Sequence, residues 1–220
     1  MKTRLSFACS LALALALICP ALSPAQEVKS IQLLKPQTDG GRPLMQVLKD
    51  RKSTKAFSGE NLPMQVLSNV LWAAFGINRP DIGKRTAPSA KNRQEIDIYV
   101  AAADGLYLYD AKAHMLKLVL AKDIRAMTGR QGYVADASVN LVYVADFTRM
   151  GERPEAEKIF YSAADTGFIA ENVYLYCTSE RLATVVRGAI DRPALAKVMG
   201  LRPDQRITLA QSVGYPKEQP

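Results

Sequence analysis

The stretch Ile96-Asp97-Ile98-Tyr99-Val100-Ala101-Ala102-Ala103-Asp104-Gly105-Leu106-Tyr107-Leu108-Tyr109 decides what kind of fold this chain can adopt. Its first half is rich in β-forming residues and alternates in polarity at the start, as a half-buried strand does. Asp104-Gly105 is a two-residue turn signal, because both residue types tolerate the left-handed backbone that a tight hairpin turn requires. Leu106 to Tyr109 then returns as the second strand. An antiparallel hairpin of this kind needs further strands and a covering layer to be stable.

Towards the C-terminus, Leu116 to Leu120 reads as a third short strand, Asp123 to Thr128 as a brief helix, and Asn140 to Ala145 as another strand. Pro154 to Arg181 is the longest helical pattern, and its Ala163, Gly167, Ala170, Tyr174 and Cys177 recur at alternating spacings of four and three. A stripe with small residues lets another helix approach closely, which suits a buried central helix or a dimer seam. Asp191 caps a helix with Pro193 in its first turn, ending at Gly200, and Arg206 to Ser212 is the last strand. Towards the N-terminus, Pro63 opens a helix with Val66, Leu67, Val70, Leu71 and Ala74 on one face, stopping at Gly76. Arg42-Pro43 opens a shorter one with Leu44, Val47 and Leu48 on one face. Residues 77 to 87, with Pro80, Gly83 and several cations, read as a loop. The order predicts an α+β fold: a mostly antiparallel sheet with helices packed on it, one of them long and central.

The first 25 residues stand apart. Met1-Lys2-Thr3-Arg4 is a basic start, Leu11 to Ile18 is apolar, and Ser23-Pro24-Ala25 supplies small residues before a cleavage point, which together predict a secretory signal and an exported, periplasmic or envelope protein. The apolar run is shorter than the roughly 20 residues a membrane span needs, so no stable span is expected. Residues 26–42 read as an N-terminal arm and 43–220 as one domain. Of the three cysteines, Cys9 and Cys19 leave with the signal, so the remaining Cys177 has no intramolecular disulfide partner and reads as core. The chain carries a net charge of +8, and its positive balance fits an anionic ligand or an acidic membrane surface. No Lys/Arg run exceeds two residues, so nucleic acid is not the expected partner. The single histidine, His114, reads as a surface residue and supports neither a metal site nor a Ser-His-Asp triad.

Three segments could carry chemistry. Arg51-Lys52-Ser53-Thr54-Lys55 interleaves three cations with two hydroxyls where a helix gives way to an extended run. It offers forked donors, point charges and short hydroxyl donors to a phosphate, or it is a solvated helix end whose cations meet the C-terminal dipole. Pro88-Ser89-Ala90-Lys91-Asn92 is a polar turn before a strand, and Ser89 and Asn92 could offer a hydroxyl and an amide to a heteroaromatic edge. Thr184-Val185-Val186-Arg187-Gly188 is a short extended run ending in a glycine that a ligand could approach closely.

In this order the three segments resemble the signatures of the nitroreductase family. Its basic-x-Ser/Thr-basic-aromatic run corresponds to Arg51 through Phe57, its Pro-Ser-x-x-Asn-x-Gln run to Pro88 through Gln94, and its extended run ending in glycine to Val185 through Gly188. The closing Val213-Gly214-Tyr215-Pro216 is similar to the family's end, and the hairpin with Tyr107-Leu108-Tyr109-Asp110 resembles the branch of thiazoline and oxazoline dehydrogenases. The resemblance implies a homodimeric FMN-dependent oxidoreductase that passes a hydride through bound flavin by a ping-pong mechanism, between a small-molecule donor and acceptor. By the same resemblance, Arg51, Ser53 and Lys55, assisted by Lys52, would hold the phosphate and ribityl chain. Pro88, Ser89, Ala90 and Asn92 would contact the isoalloxazine from the partner subunit. Arg187 and Gly188 would present backbone groups near its N5 and O4. No catalytic side chain is implied, because the cofactor performs the chemistry. The chain departs from the family in having only Lys217 as a late basic residue, and Glu95-Ile96-Asp97 where an aromatic usually follows the second signature. A flavin-binding or flavin-carrier protein without turnover is the alternative reading.

Overall fold

The computed structural model describes residues 30–217; the expected signal segment lies outside them. Seven strands form one sheet, and every neighbouring pair in it is antiparallel. The hairpin that set the expectation is its middle, with β4 (Ile96–Ala102) and β5 (Gly105–Asp110) paired from Tyr99 opposite Leu108 to Ala102 opposite Gly105. β6 (Met115–Leu120) follows β5, and β1 (Ser30–Gln32) adds an edge strand from the N-terminal arm. On the other side lie β7 (Val139–Asp146), β9 (Gln205–Gly214) and β8 (Ala183–Arg187). All of β7 is buried, as befits a strand covered on both faces.

Strand alternation sorts the side chains into two cores. Ile96, Ile98, Val100, Leu141 and Tyr143 pack beneath α2 (Met64–Phe75) and α3 (Glu155–Ser179) with Val70, Phe75, Ile169 and Val173. Tyr99, Ala101, Val142 and Val144 face the other way, against Leu195 and Met199 of α4 (Arg192–Met199). The caps follow the sequence closely. Asp191 accepts the Ala194 amide at 3.2 Å, and Gly200 closes α4 in the left-handed region at φ 66°. Pro154 precedes the 25-residue α3, whose first turn carries Glu155 and Glu157 against the positive end of the helix dipole.

The structure corrects three expectations and divides the small-residue stripe between core and surface. Residues 77–87 are not all loop: β2 (Ile77–Arg79) pairs with β3 (Lys84–Arg85) in a bulged hairpin. It is tied down by Trp72, which donates to the Ile77 carbonyl at 3.2 Å, and by Arg85, which donates to the Phe75 carbonyl at 2.9 Å. His114 is not a plain surface residue. Its ring is half-buried, 2.7 Å from Ser68 Oγ and 3.0 Å from both Tyr109 Oη and the Leu34 carbonyl, and burial lowers its pKa. The arm docking over it could not be read from local pattern. The small-residue stripe of α3 is also divided: Ala170, Tyr174 and Cys177 are buried, but Ala163 and Gly167 are exposed. In α1 (Leu44–Asp50), only Val47 enters the core, while Leu44 and Leu48 of the expected apolar face are exposed. Cys177 is fully buried, as its place on the stripe implied, and burial pushes its thiol pKa far up.

Candidate functional site

Arg51 through Phe57 leaves α1 in extended conformation and runs beside the outer sheet edge. The Thr54 amide donates to the Thr184 carbonyl of β8 at 2.9 Å, and Phe57 bridges to Pro216. Alternation in an extended run splits its side chains between two faces. On one face, Ser53 Oγ lies 2.8 Å from Tyr174 Oη, and the Arg51 guanidinium sits over the Tyr174 ring, 5.2 Å from its centroid. The same Tyr174 hydroxyl accepts the Val186 amide at 2.9 Å. One buried tyrosine on α3 thus joins the basic segment to the end of β8. On the other face, Lys52 and Thr54 line a cavity of about 710 Å³ with Arg42, Arg181 and Lys217. Lys52 and Lys217 therefore stand together, away from the face that Arg51 and Ser53 share with Tyr174. Arg51, Lys52 and Lys55 make no ion pair among the described residues.

The β8 end is fixed from beneath. The Arg187 side chain turns into the core, where it donates to Thr128 Oγ1 and Ser212 Oγ at 2.7 Å and to Asn140 Oδ1 at 2.9 Å. Burial among neutral groups lowers its pKa to about 10, so it stays charged near neutrality. What Arg187 can offer outward is backbone alone. Gly188 is exposed, and a Cβ there would meet Leu209 at 3.5 Å, an ordinary contact. The protein has room for a side chain at 188, so glycine there leaves main chain open rather than relieving a clash.

Pro88 through Gln94 is built differently. Lys91, Asn92 and Gln94 all lie in the left-handed region, at φ 54°, 54° and 50°. Each such non-glycine residue costs on the order of 1–2 kcal/mol and persists only where surroundings hold it. The holders are visible. Ser89 Oγ accepts the Gln94 amide at 2.9 Å, and Gln94 Nε2 donates to the Gly83 carbonyl at 2.9 Å and to Asn92 Oδ1 at 3.1 Å. Asp165 Oδ2 of α3 accepts the Ala90 amide at 2.9 Å. Asn92 and Pro88 are left exposed. Asp165 and Tyr174 are nine residues apart on one helix, about 13 Å along its axis. No hydrogen bond joins the two segments among the described residues, so one protomer brings Arg51, Ser53, Val186 and Gly188 together but leaves Pro88–Asn92 apart. Tyr174 and Asp165 carry this arrangement, and the sequence alone does not mark either as a site residue. Tyr174 reads there as one more residue of an apolar stripe, and nothing local links Asp165 to Ala90.

The chain matches the family model described as the nitroreductase family over residues 48–215. A protein of Methanocaldococcus jannaschii described as a candidate nitroreductase is 28% identical over 169 residues, covering 72% of this chain and 85% of that protein. A crystal structure of a candidate nitroreductase from Ralstonia eutropha JMP134 superposes with a TM-score of 0.83 at 45% identity, over 86% of this chain and 90% of that one. The NADPH:FMN oxidoreductase of Vibrio harveyi shares the fold at a TM-score of 0.61 and 18% identity, over 80% of this chain and 70% of its own. The Arg51–Phe57 and Pro88–Gln94 segments and the β8 end all fall inside the matched span, and the chain belongs to the nitroreductase family of FMN-dependent oxidoreductases.

Proposed function

We propose that this protein works as an exported homodimer that holds FMN across its subunit interface and passes electrons from a small-molecule donor to a small-molecule acceptor in turn. The observation that carries the flavin site is the meeting of Arg51 and Ser53 with the Val186–Gly188 main chain through Tyr174. The donor set fits the cofactor. Arg51 and Lys55 are cations without ion-pair partners among the described residues, and Ser53 adds a hydroxyl, which together suit a phosphate monoester. Gly188 offers its amide to a ring edge, its carbonyl already accepting from Ile190 and Arg192. When bound, the flavin supplies the two-electron chemistry. The chain's own part is to bind the phosphate, orient the ring and present fixed N–H dipoles where negative charge collects. Lys52 and Lys217, on the far side of the segment, are better placed to raise the local positive potential than to touch the same phosphate.

The dimer is supported by what one protomer leaves uncovered. Leu44 and Met45 on α1 are 60% and 76% exposed, and Phe160 and Phe168 on α3 are 67% and 50% exposed. Ala163 and Gly167 lie between those phenylalanines on the same helix. Exposed apolar residues on these two helices offer a surface that a protein partner can cover. A second copy laid on it would also supply the Pro88–Asn92 segment that one protomer holds apart from Arg51. An obligate interface of this kind should bury more than about 2,000 Å². Export rests on the N-terminal segment, whose basic start, apolar run and Ser23-Pro24-Ala25 have the form of a cleaved signal.

The absorbance spectrum of the purified protein, followed by addition of reductants and then of quinones or nitroaromatics, tests this reading. A bleachable flavin band at one FMN per chain, reoxidised by an acceptor faster than free reduced FMN is, supports it. A colourless protein that takes up no FMN contradicts it. Bound FMN that exchanges readily and is reoxidised no faster than free FMN points to the carrier instead. Light scattering that gives a stable monomer retaining FMN would remove the shared site.

A further inference from the structure

Glu95 is fully buried, and neither of its carboxylate oxygens has a hydrogen-bond donor. The group it faces is Asp165, itself 2% exposed, whose Oδ2 accepts the Ala90 amide. Neither nearby arginine donates to Glu95, although the Arg93 Nε is itself buried without an acceptor. Arg149, from the turn after β7, donates to Asp97, Asp146 and the Gln94 carbonyl. Arg93, on Glu95's own segment, donates to the Met150 carbonyl. Two facing carboxyls out of water, with no cation of their own, cannot both be ionised at low cost. A single proton between them turns one acceptor into a donor and gives one of the two unpartnered Glu95 oxygens a partner.

We infer that Glu95 and Asp165 share one proton, and that this protonated pair anchors the strained Pro88–Gln94 segment to α3, making both positioning residues for whatever that segment contacts. The proton rests on Glu95 and is donated to Asp165, which keeps its other oxygen for the Ala90 amide. Loss of the proton leaves two buried negative charges facing each other, and the separation that relieves them loosens the Ala90 anchor. Three left-handed residues then lose part of what holds them. The link to flavin rests on the function proposed above; the shared proton and the anchored segment do not.

Burial, with a smaller contribution from Asp165, raises the Glu95 pKa from 4.5 to about 7. The folded-state value lies above the unfolded one, so this contribution to stability is fully present below about pH 4.5 and is lost as pH rises through about 7. A shift of this size corresponds to a fall of roughly two orders of magnitude in the folding equilibrium across that window.

The test uses apoprotein, with Glu95→Gln as the variant, since glutamine donates to Asp165 as the protonated acid does and cannot ionise. Thermal midpoints are measured from pH 5 to 8.5, together with hydrogen exchange at the Ala90 amide corrected for its intrinsic pH dependence. Titrations of His114 and Asp97 are common to both proteins and cancel in the difference. The wild type should lose stability relative to the variant as pH rises, and its Ala90 amide should exchange at least about tenfold more readily at pH 8.5 than at 5.5, while the variant's should not. Identical pH profiles, or Ala90 protection independent of pH in the wild type, overturn the inference. Should the variant fail to fold, infrared spectroscopy of the wild type decides: a protonated carboxylic acid carbonyl band near pH 6 that disappears by pH 8.5 supports the pair, and its absence overturns it. If the apoprotein behaves as stated but FMN does not bind, the flavin reading fails and the proton pair stands.

Discussion

Arg51–Phe57 reaches its place by extended backbone, tied to β8 and to the chain's end by main-chain hydrogen bonds, with its charged side chains left uncommitted. Pro88–Gln94 reaches its place against local preference. Three of its residues are left-handed, and its holders are a serine hydroxyl, a glutamine amide and a buried carboxylate on a helix far away in sequence. The first segment offers side-chain chemistry on a relaxed frame. The second offers a precise backbone path on a strained one. A substitution in the first should therefore act on the ligand and spare the fold, whereas one in the second should act on the fold first.

The largest expected effect breaks the strained segment at its anchor. Asp165→Ala leaves the Ala90 amide and the Glu95 carboxyl buried without partners, at roughly 1–3 kcal/mol for each unsatisfied group, and urea unfolding should show a loss of about 2–3 kcal/mol. A loss under about 0.5 kcal/mol would mean that the anchor carries nothing. Tyr174→Phe probes the other segment's frame. It removes the hydroxyl shared by Ser53 and the Val186 amide, and should cost about 1 kcal/mol of stability. FMN retention should fall and the Pro88–Gln94 segment should keep its hydrogen-exchange protection. Equal loosening of both segments would show that they are one mechanical unit.

The smallest effect sharpens the contrast most. Lys91→Gly relieves a left-handed residue and should stabilise the apoprotein by about 0.5–1 kcal/mol. Lys52→Gly, in the extended run, should be neutral or mildly destabilising, because it adds freedom to the unfolded chain and relieves nothing. The same sign for both would contradict the assignment of strain to one segment.

What could be read from the sequence follows the same division. Features set by local chemistry were legible: the Asp104-Gly105 hairpin, the Asp191 cap, the Gly200 terminus, and the cations and hydroxyls of Arg51–Lys55. Features set by contacts between distant segments were not. His114 lies under an arm some 80 residues earlier in the chain. The Arg187 side chain is claimed by Thr128, Asn140 and Ser212, which three separate elements bring to it. Glu95 was visible as a departure from the family's usual aromatic, but its partner on α3 was not, because no pattern along the chain relates positions 95 and 165. The 77–87 hairpin was hidden because two strands of two and three residues are too short to show a period.

Paired titrations of wild type and Arg51→Ala with FMN and with riboflavin test whether Arg51 and its neighbours hold a phosphate. Riboflavin has the same ring and lacks the phosphate. The substitution should weaken FMN binding by about 1.5–3 kcal/mol, roughly ten- to a hundredfold, and change riboflavin binding several-fold less. Equal losses for the two ligands, or no loss for FMN, would contradict it and return Arg51 to a solvated helix end.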